Sequence, residues 1–308
     1  FRLNPEHPPL IKMIAAIPLL FQNVNFPSSV RAWTDEVNGQ WDMGTLFLYQ
    51  SQNNPDSILH WMHLPIMLLA LITGWLLFSW VSSRFGNRVA LLTLFLFALS
   101  PTIIAHSRFV TTDLGAMFGF LIGIITFINF LENPSWKNTV YAGIAFGIAE
   151  LLKFSLILLP IMQMIILFFW LLGKKKGTIM SLVLEQGALL KKCFVILVIG
   201  GFCIWPIYQF AVWNYPPERQ RNDTVAILQS IIKDSTGIID TCGTLKNLVR
   251  CPAELVIWGS DKPILRPYSE YLLGVLMFLQ RSAGGNTSYF LGEVSNLGSR
   301  WYFPVAYV

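Results

Sequence analysis

Charge is the first thing this sequence lacks. Asp, Glu, Lys and Arg make up 13% of its 308 residues, about half the roughly 25% of a soluble globular domain, which excludes an ordinary solvated fold. Cysteine is nearly as sparse, with four residues, none of them in a CxxC pair. HExxH and Walker-type glycine loops are missing as well, so zinc-protease, dithiol and P-loop chemistry have no local signature here. The net charge of +5 is not gathered into a basic patch interleaved with stacking aromatics, as single-strand nucleic-acid binding requires. Nucleic acid is therefore not an expected partner. Paired internal repeats with broken helices, which mark many transporters, are absent too.

What the chain has instead is long apolar runs. Hydrophobic residues are 54% of the total, with 11 Trp and 23 Phe to suit lipid contact and interfacial belts. Residues 10–21 form an apolar stretch of twelve, too short to span a bilayer that needs about 20; it is expected to lie at the interface or pack on the bundle. Full-length spans are expected over 58–81, 89–104, 114–131 and 193–213. The 34 residues of 139–172 would make one helix about 51 Å long against a hydrocarbon core of about 30 Å. Lys153 sits near the middle, and a reversal there, giving two shorter spans, fits the bilayer better. A last run opens at Trp301. The expected fold class is an all-α polytopic membrane protein with about seven membrane segments. Its expected organisation is a transmembrane core over 1–213, an extracytoplasmic loop region over 214–300 and the start of a further span over 301–308.

Short-loop cations set the orientation. Arg84, Arg88, Lys137, Lys174, Lys175, Lys176, Lys191 and Lys192 fall on one side if the crossings alternate as drawn, and that side is expected to be cytoplasmic. His7, Asp113, Lys153 and the 214–300 region then face outward. Cys193 and Cys203 lie within a span as packing thiols. Cys242 and Cys251 lie in the outer region and are a disulfide candidate in an oxidising compartment, with a pair of free thiols as the alternative. In the same region, 225–233 is expected to form a short amphipathic helix. Residues 271–279 are too few to cross and are expected to lie against the membrane or the bundle. A glycine-punctuated loop follows, carrying Tyr289, Glu293 and Arg300 back toward the membrane.

The chemistry concentrates around 99–117, LSPTIIAHSRFVTTDLGAM, where one tight connection between two apolar runs shows His106, Arg108 and Asp113. An acid at such a position is costly unless it faces water or protein, which makes it a functional-site candidate. Glu6 and Glu293 are further outer-face acids, and His7, Lys153 and Arg300 are further outer-face cations or donors. Carboxylates beside cations at the water–lipid boundary suit displacement at a sugar carbon with a lipid phosphate leaving. Cations neutralise the phosphate and a carboxylate deprotonates an incoming hydroxyl or amine. Each residue also has a plainer reading. Lys153 can snorkel from a helix end, and Asp35-Glu36 reads as an acidic pair in a solvated loop. His60 and His63 share a helix face, where histidines are more often interfacial than metal-binding. Whether a divalent metal takes part is left open.

Two motifs, LSPTIIAHSRFVTTDLGAMF and GIAFGIAELLKFS, resemble the phospholipid-carrier-dependent glycosyltransferases of the C-type superfamily. That superfamily includes the protein mannosyltransferases and the lipid A aminoarabinose transferases. FRLNPEHPPLIKMIAAIPLLF and GGNTSYFLGEVSNLGSRWYFPVAY resemble two further segments of that family. The resemblance implies a polytopic helical enzyme that takes a sugar from a polyprenyl-phosphate carrier and passes it, with inversion, to an acceptor lipid, glycan or protein. The active site would lie on the extracytoplasmic side of the plasma membrane. By position it assigns Asp113 and Glu6 as catalytic acids. His7, His106, Arg108, Lys153, Glu293, Arg300 and Tyr302 are assigned to the donor or its carrier phosphate. One departure stands out: the family's principal acidic pair follows a first span that is not found here, and Asp35-Glu36 comes after NPEHPP, in the wrong place to replace it. The chain opens at Phe1 in a polar segment and stops inside an apolar run, so a fragment, with that span and acid upstream, is expected. The competing expectation is a non-catalytic scaffold subunit of a membrane complex that keeps the fold without the reaction.

Overall fold

The computed structural model describes residues 2–173, 179–232, 250–284, 287–296 and 298–306, and the chain divides into two compact units, Phe1–Asn214 and Tyr215–Val308. The first unit opens with α1 (Pro9–Ala16), continued by a 3₁₀ turn over Ile17–Phe21, then two short helices, α2 (Arg31–Thr34) and α3 (Gln40–Thr45). The long helices follow: α4 (Pro55–Phe85), α5 (Asn87–Leu99), α6 (Pro101–Ser107), α7 (Thr112–Glu132), α8 (Trp136–Leu152), α9 (Leu159–Gly173) and α10 (Ile179–Ala211). The second unit holds α11 (Pro217–Ile232), α12 (Arg250–Gly259), α13 (Arg266–Gly284), the hairpin β1 (Ser288–Phe290) and β2 (Glu293–Ser295), and α14 (Tyr302–Ala306).

Boundaries follow local chemistry. Pro55 starts α4, where its missing N–H is harmless, and the Asn54 side chain accepts from Ser57 N at 3.1 Å as an N-cap. Gly86, at φ +83°, ends α4 in a conformation that disfavours side chains and turns the chain into α5. Ser100 is extended before Pro101, as sterics at a pre-proline residue demand, and α5 and α6 consequently meet at 63°. Ser135 caps α8 through Asn138 N. Lys153 is extended, at φ −158° and ψ 134°, and breaks the apolar run where a reversal was expected.

Side-chain neighbours establish the directions. Gly115 of α7 faces Leu152, and Gly119 faces Ala149, so α8 runs antiparallel to α7. Beyond Lys153 the order inverts: Gly119 meets Leu156, Gly123 meets Leu159, and Gln163 Nε2 donates to Gly123 O at 3.3 Å. Thus α9 runs alongside α7 and against α8, and the chain does reverse at Lys153. Small residues allow the close approach, as in membrane helix pairs generally. A Cβ on Gly119 would stand 3.0 Å from Ala149 Cα, and one on Gly147 would stand 2.5 Å from Cys203 Cβ of α10. Phe127, Phe130, Phe146, Leu159 and Ile196 fill the core between these helices.

The number of crossings is lower than expected. Among the described residues four helices are long and apolar enough to cross a membrane, or five if the bent pair of α5 and α6 is one span; about seven were expected. The Lys153 break leaves α8 with 17 residues, about 25 Å of helix and below the roughly 20 residues a span requires. The last run yields only the five residues of α14. Residues 10–21 behave as anticipated for a segment packed on the bundle: Ile11 and Ala15 are buried, whereas Leu20 and Phe21 at the end of the 3₁₀ turn are exposed.

In the second unit α11, α12 and α13 close around Leu228, Ala253, Val256, Leu273 and Leu276. The apolar residues of 271–279 thereby correct an expectation. Tyr271, Leu273, Val275 and Leu276 are buried in the core of their own unit, because α11 and α12 supply the apolar partners that the membrane or the bundle was expected to provide. The helix anticipated over 225–233 begins eight residues earlier, at Pro217, and Lys233 lies outside the described residues. A polar seam joins these helices: Gln220 Nε2 donates to Glu270 Oε2 at 2.8 Å, Arg266 Nε donates to Gln220 Oε1 at 2.8 Å, and Tyr215 OH donates to Asp223 Oδ2 at 2.5 Å. The segment read as a loop around Glu293 is an antiparallel hairpin pairing Ser288 with Ser295 and Phe290 with Glu293. Leu291 and Gly292 turn it with φ of +49° and +94°, the geometry of a two-residue hairpin loop.

Candidate active site

Three ionisable side chains converge at one end of the first unit, from α6, from α7 and from the break that follows α8. Asp113 lies in the first turn of α7, where a carboxylate complements the helix dipole. Its Oδ1 is 2.7 Å from Lys153 Nζ, and its Oδ2 is 3.3 Å from His106 Nδ1. Thr111 Oγ1 is 3.4 Å from the same imidazole nitrogen. Forty residues separate Asp113 from Lys153, and the α7–α8 hairpin followed by the break at Lys153 is what joins them. The α5–α6 bend places His106, in the last turn of α6, beside both. The cluster stays open to solvent: side-chain exposures are 45% for Asp113, 41% for His106 and 27% for Lys153. Arg108 is exposed with its guanidinium 5.1 Å above the Phe109 ring, and Phe109 meets the His63 ring edge-on at 5.9 Å, tying this loop to α4.

The segment bearing Glu6 and His7 is fastened near the same end. Lys12 Nζ donates to Asn4 O at 2.8 Å and His7 O at 2.9 Å, folding the NPEHPP turn back on α1. Ile11 of α1 in turn packs on Gly115 and Leu152, next in sequence but one to Asp113 and next to Lys153. Burial holds the Lys12 ammonium down at about 8. Sequence reasoning passed over Lys12; its signal was a lone cation inside an apolar run, within one helical turn or so of a polar, proline-rich loop.

The opposite end carries different charges. Arg84 makes a two-pronged contact with Glu132, at 2.5 and 2.7 Å, and reaches Asn129. Lys192 Nζ donates to Pro134 O, and Lys137 lies 5.7 Å above the Tyr141 ring. From Asp113 to Glu132 α7 rises about 29 Å, close to a bilayer's hydrocarbon thickness. Arg84, Lys137 and Lys192 therefore share one end and Asp113, His106 and Lys153 the other, the grouping the short-loop cations suggested. Lys174, Lys175 and Lys176 lie outside the described residues.

Other candidates fall elsewhere. Asp35 and Glu36 follow α2 and are engaged locally: Thr34 Oγ1 donates to Asp35 Oδ2 at 3.1 Å, and Arg31 Nε is 3.8 Å from Glu36 Oε1. The His60 ring meets Trp61 edge-on at 6.0 Å. Among the described residues no group of three or more His, Cys, Asp or Glu side chains is placed to hold a metal ion. Glu293, Arg300 and Tyr302 belong to the second unit. Glu293 is an exposed residue of β2, Arg300 lies 5.8 Å above the Trp301 ring, and Tyr302 packs its ring 5.9 Å from Phe290. Cys193 and Cys203 are free thiols, as the packing reading expected. Cys251 is disulfide-bonded, and Cys242 lies outside the described residues.

A comparison with protein families adds identity to this geometry. Residues 57–207, which span α4 to most of α10 and contain His106, Arg108, Asp113 and Lys153, match the family model described as dolichyl-phosphate-mannose-protein mannosyltransferase. Comparison with curated proteins and with solved structures gave no match. An all-α membrane core, the match across it and the acid–lysine–histidine cluster inside the matched segment agree with one another. The membrane core over residues 57–207 is thus that of a C-type membrane glycosyltransferase, similar to the dolichyl-phosphate-mannose-protein mannosyltransferase family.

Proposed function

We propose that the chain moves a sugar from a polyprenyl-phosphate carrier to an acceptor lipid, glycan or protein at the extracytoplasmic face of the plasma membrane. The observation that carries this reading is the Asp113–Lys153–His106 cluster, half-open to solvent at the end of the bundle remote from Arg84, Lys137 and Lys192. In the proposed reaction the acceptor oxygen or nitrogen attacks the anomeric carbon while the bond from that carbon to the phosphate oxygen breaks. The polyprenyl phosphate leaves with the electron pair, the acceptor proton passes to a carboxylate, and the sugar carbon inverts. Asp113 takes that proton, with Glu6 as the second carboxylate. Lys153, Arg108, His106 and His7 offset the charge of the phosphate.

The test uses the full chain in membranes supplied with lipid-linked sugar. Asp113→Asn keeps the shape and removes the base, so transfer should fall by about 10²-fold or more. Undiminished transfer by that variant would refute the assignment, and a wild-type chain inert toward lipid-linked sugars would favour the scaffold alternative. Sidedness is checked separately by Lys137→Cys in a background without other reactive thiols. An impermeant thiol reagent applied to intact cells should leave that position unlabelled.

A further inference from the structure

The second unit carries a pocket that the transfer reaction does not use. It opens between α11 and α12, encloses about 290 Å³ and is lined by Arg221, Glu254, Ile257, Trp258, Asp261 and Lys262. Trp258, 56% exposed, contributes an indole and Ile257 an apolar wall. The rest of the lining is charged but balanced. Arg221 Nε is 3.8 Å from Asp261 Oδ2, Lys262 Nζ is 2.9 Å from Asp261 Oδ1, and Glu254 Oε1 is 3.3 Å from Arg250 Nε.

Two carboxylates and two cations give the lining no excess of either sign. A phosphate or an anionic bilayer would be met by surplus cations, as in phosphate sites generally. What this lining offers is a set of strong acceptors and strong donors spaced around one aromatic ring. That combination recognises a ligand with many hydroxyls and a few exposed C–H faces. Carboxylates accept from hydroxyl groups, Arg and Lys donate to hydroxyl and ring oxygens, and the indole covers the apolar face of the ring. The volume sits just under the roughly 300–1,000 Å³ of sites for drug-sized ligands, which suits a single sugar ring. The wall is also built before any ligand arrives. Ser260 N donates to Ile257 O, Lys262 N to Gly259 O and Leu265 N to Lys262 O, and Ser260 is fully buried, so the loop after α12 is held in place. Pre-formed walls spare the ordering that binding otherwise costs.

We propose that the α11–α12 pocket is a carbohydrate-binding site, taking one neutral glycosyl unit with its ring against Trp258. Its lining shares no residue with the Asp113 cluster, and the proposal does not depend on the chain being a transferase.

The test is saturation-transfer NMR on the full chain in lipid nanodiscs, with methyl α-D-mannopyranoside and methyl α-D-glucopyranoside as probes. Saturation should reach the ring protons of at least one glycoside. Trp258→Ala should cut that signal about tenfold, while Trp258→Phe, which keeps an aromatic face, should stay within about threefold of wild type. Asp261→Asn should weaken it severalfold, and Asp113→Asn should leave it unchanged. No transfer to either glycoside, or a wild-type signal from Trp258→Ala, overturns the proposal. So does a signal that disappears in Asp113→Asn, because the sugar would then be sitting in the other site. Quenching of fluorescence by spin-labelled lipid that Trp258→Ala removes, without any glycoside signal, would identify the face as lipid-bound and overturn it equally.

Discussion

The Asp113–Lys153 pair is the contact on which the site stands, and a double-mutant cycle with Asp113→Asn and Lys153→Met measures it directly. Opposite unit charges at 2.7 Å attract by about 1.5 kcal/mol in bulk water and about 6 kcal/mol at an effective dielectric of about 20. With the two side chains 45% and 27% exposed, solvent screens much of this, and exposed pairs usually yield about 1 kcal/mol or less. A coupling of about 1–2 kcal/mol is expected from thermal unfolding of the four proteins in one detergent at low ionic strength, shrinking as salt is added. Each single variant should be destabilised more than the double, because each leaves one charge without its counter-ion at a membrane boundary. The same four proteins carry a kinetic expectation. Lys153→Met should act mainly on KM for the lipid-linked sugar, and Asp113→Asn mainly on kcat. A coupling indistinguishable from zero would show that the two side chains are merely close. Loss of kcat in Lys153→Met with unchanged KM would reverse the assigned roles.

Three other perturbations follow from the structure. Burial brings the Lys12 ammonium from 10.5 to about 8; the charged form is disfavoured in the folded state, so stability should rise as pH climbs from about 8 to 10.5. The ceiling is about 3 kcal/mol at 1.36 kcal/mol per pH unit, and Lys12→Met should flatten that part of the unfolding curve; identical slopes in the two proteins would mean a solvated lysine. In the second unit burial, opposed by the Gln220 hydrogen bond, raises the Glu270 carboxyl to about 7. Its contribution is complete below about 4.5 and is lost as pH rises through about 7. Hydrogen exchange in α13, corrected for intrinsic rates, should therefore slow on acidification, and Glu270→Gln should abolish the dependence. Gly147→Leu drives a side chain into Cys203 and the Gly200 carbonyl and should cost about 2–3 kcal/mol as overpacking. A wild-type melting temperature in that variant would contradict the α8–α10 contact.

Much of the first unit was legible because lipid simplifies the code. A run of about 20 apolar residues has few alternatives to a crossing helix, so α4 and α7 follow the hydropathy closely, whereas α10 starts at Ile179, well before the expected Cys193. The Lys153 reversal was legible for the same reason, since a helix of about 51 Å has no place in a core of about 30 Å. Small positions such as Gly119 and Gly147 carry the packing, but their partners 30 and 56 residues away cannot be read without the fold. The second unit was harder because its helices bury apolar faces in one another. Tyr271 to Leu276 look the same in sequence whether the partner is Val256 or a lipid. The β1–β2 hairpin was missed although Leu291-Gly292 stands between short runs of aromatic and β-branched residues, since a three-residue strand hardly shows a period. Within the site, Asp113, His106 and Lys153 were each visible as charges that apolar surroundings make costly. Lys12 was not, because its partners are backbone carbonyls, which leave no trace in side-chain chemistry.

One residue connects the length of the helices to the chemistry at their end. An unbroken helix through 139–172 would carry position 153 toward the middle of the run, with its ammonium in hydrocarbon. The extended backbone at Lys153 instead stops α8 at 17 residues, short of a full crossing, and turns the chain into α9. The same break lets the Lys153 side chain meet Asp113 at the head of α7, where each charge is offset by the other and both reach solvent. A shortened α8 is tolerable because α7 and α10 pack along much of it, with Ala142, Gly143, Ala149 and Glu150 buried, while Trp136, Val140, Tyr141 and Ile144 stay exposed. The span that falls short and the paired acid are thus two outcomes of one backbone choice. Substitutions that restore helix through 152–154 should lose the Asp113 contact before they disturb the α7–α8 interface.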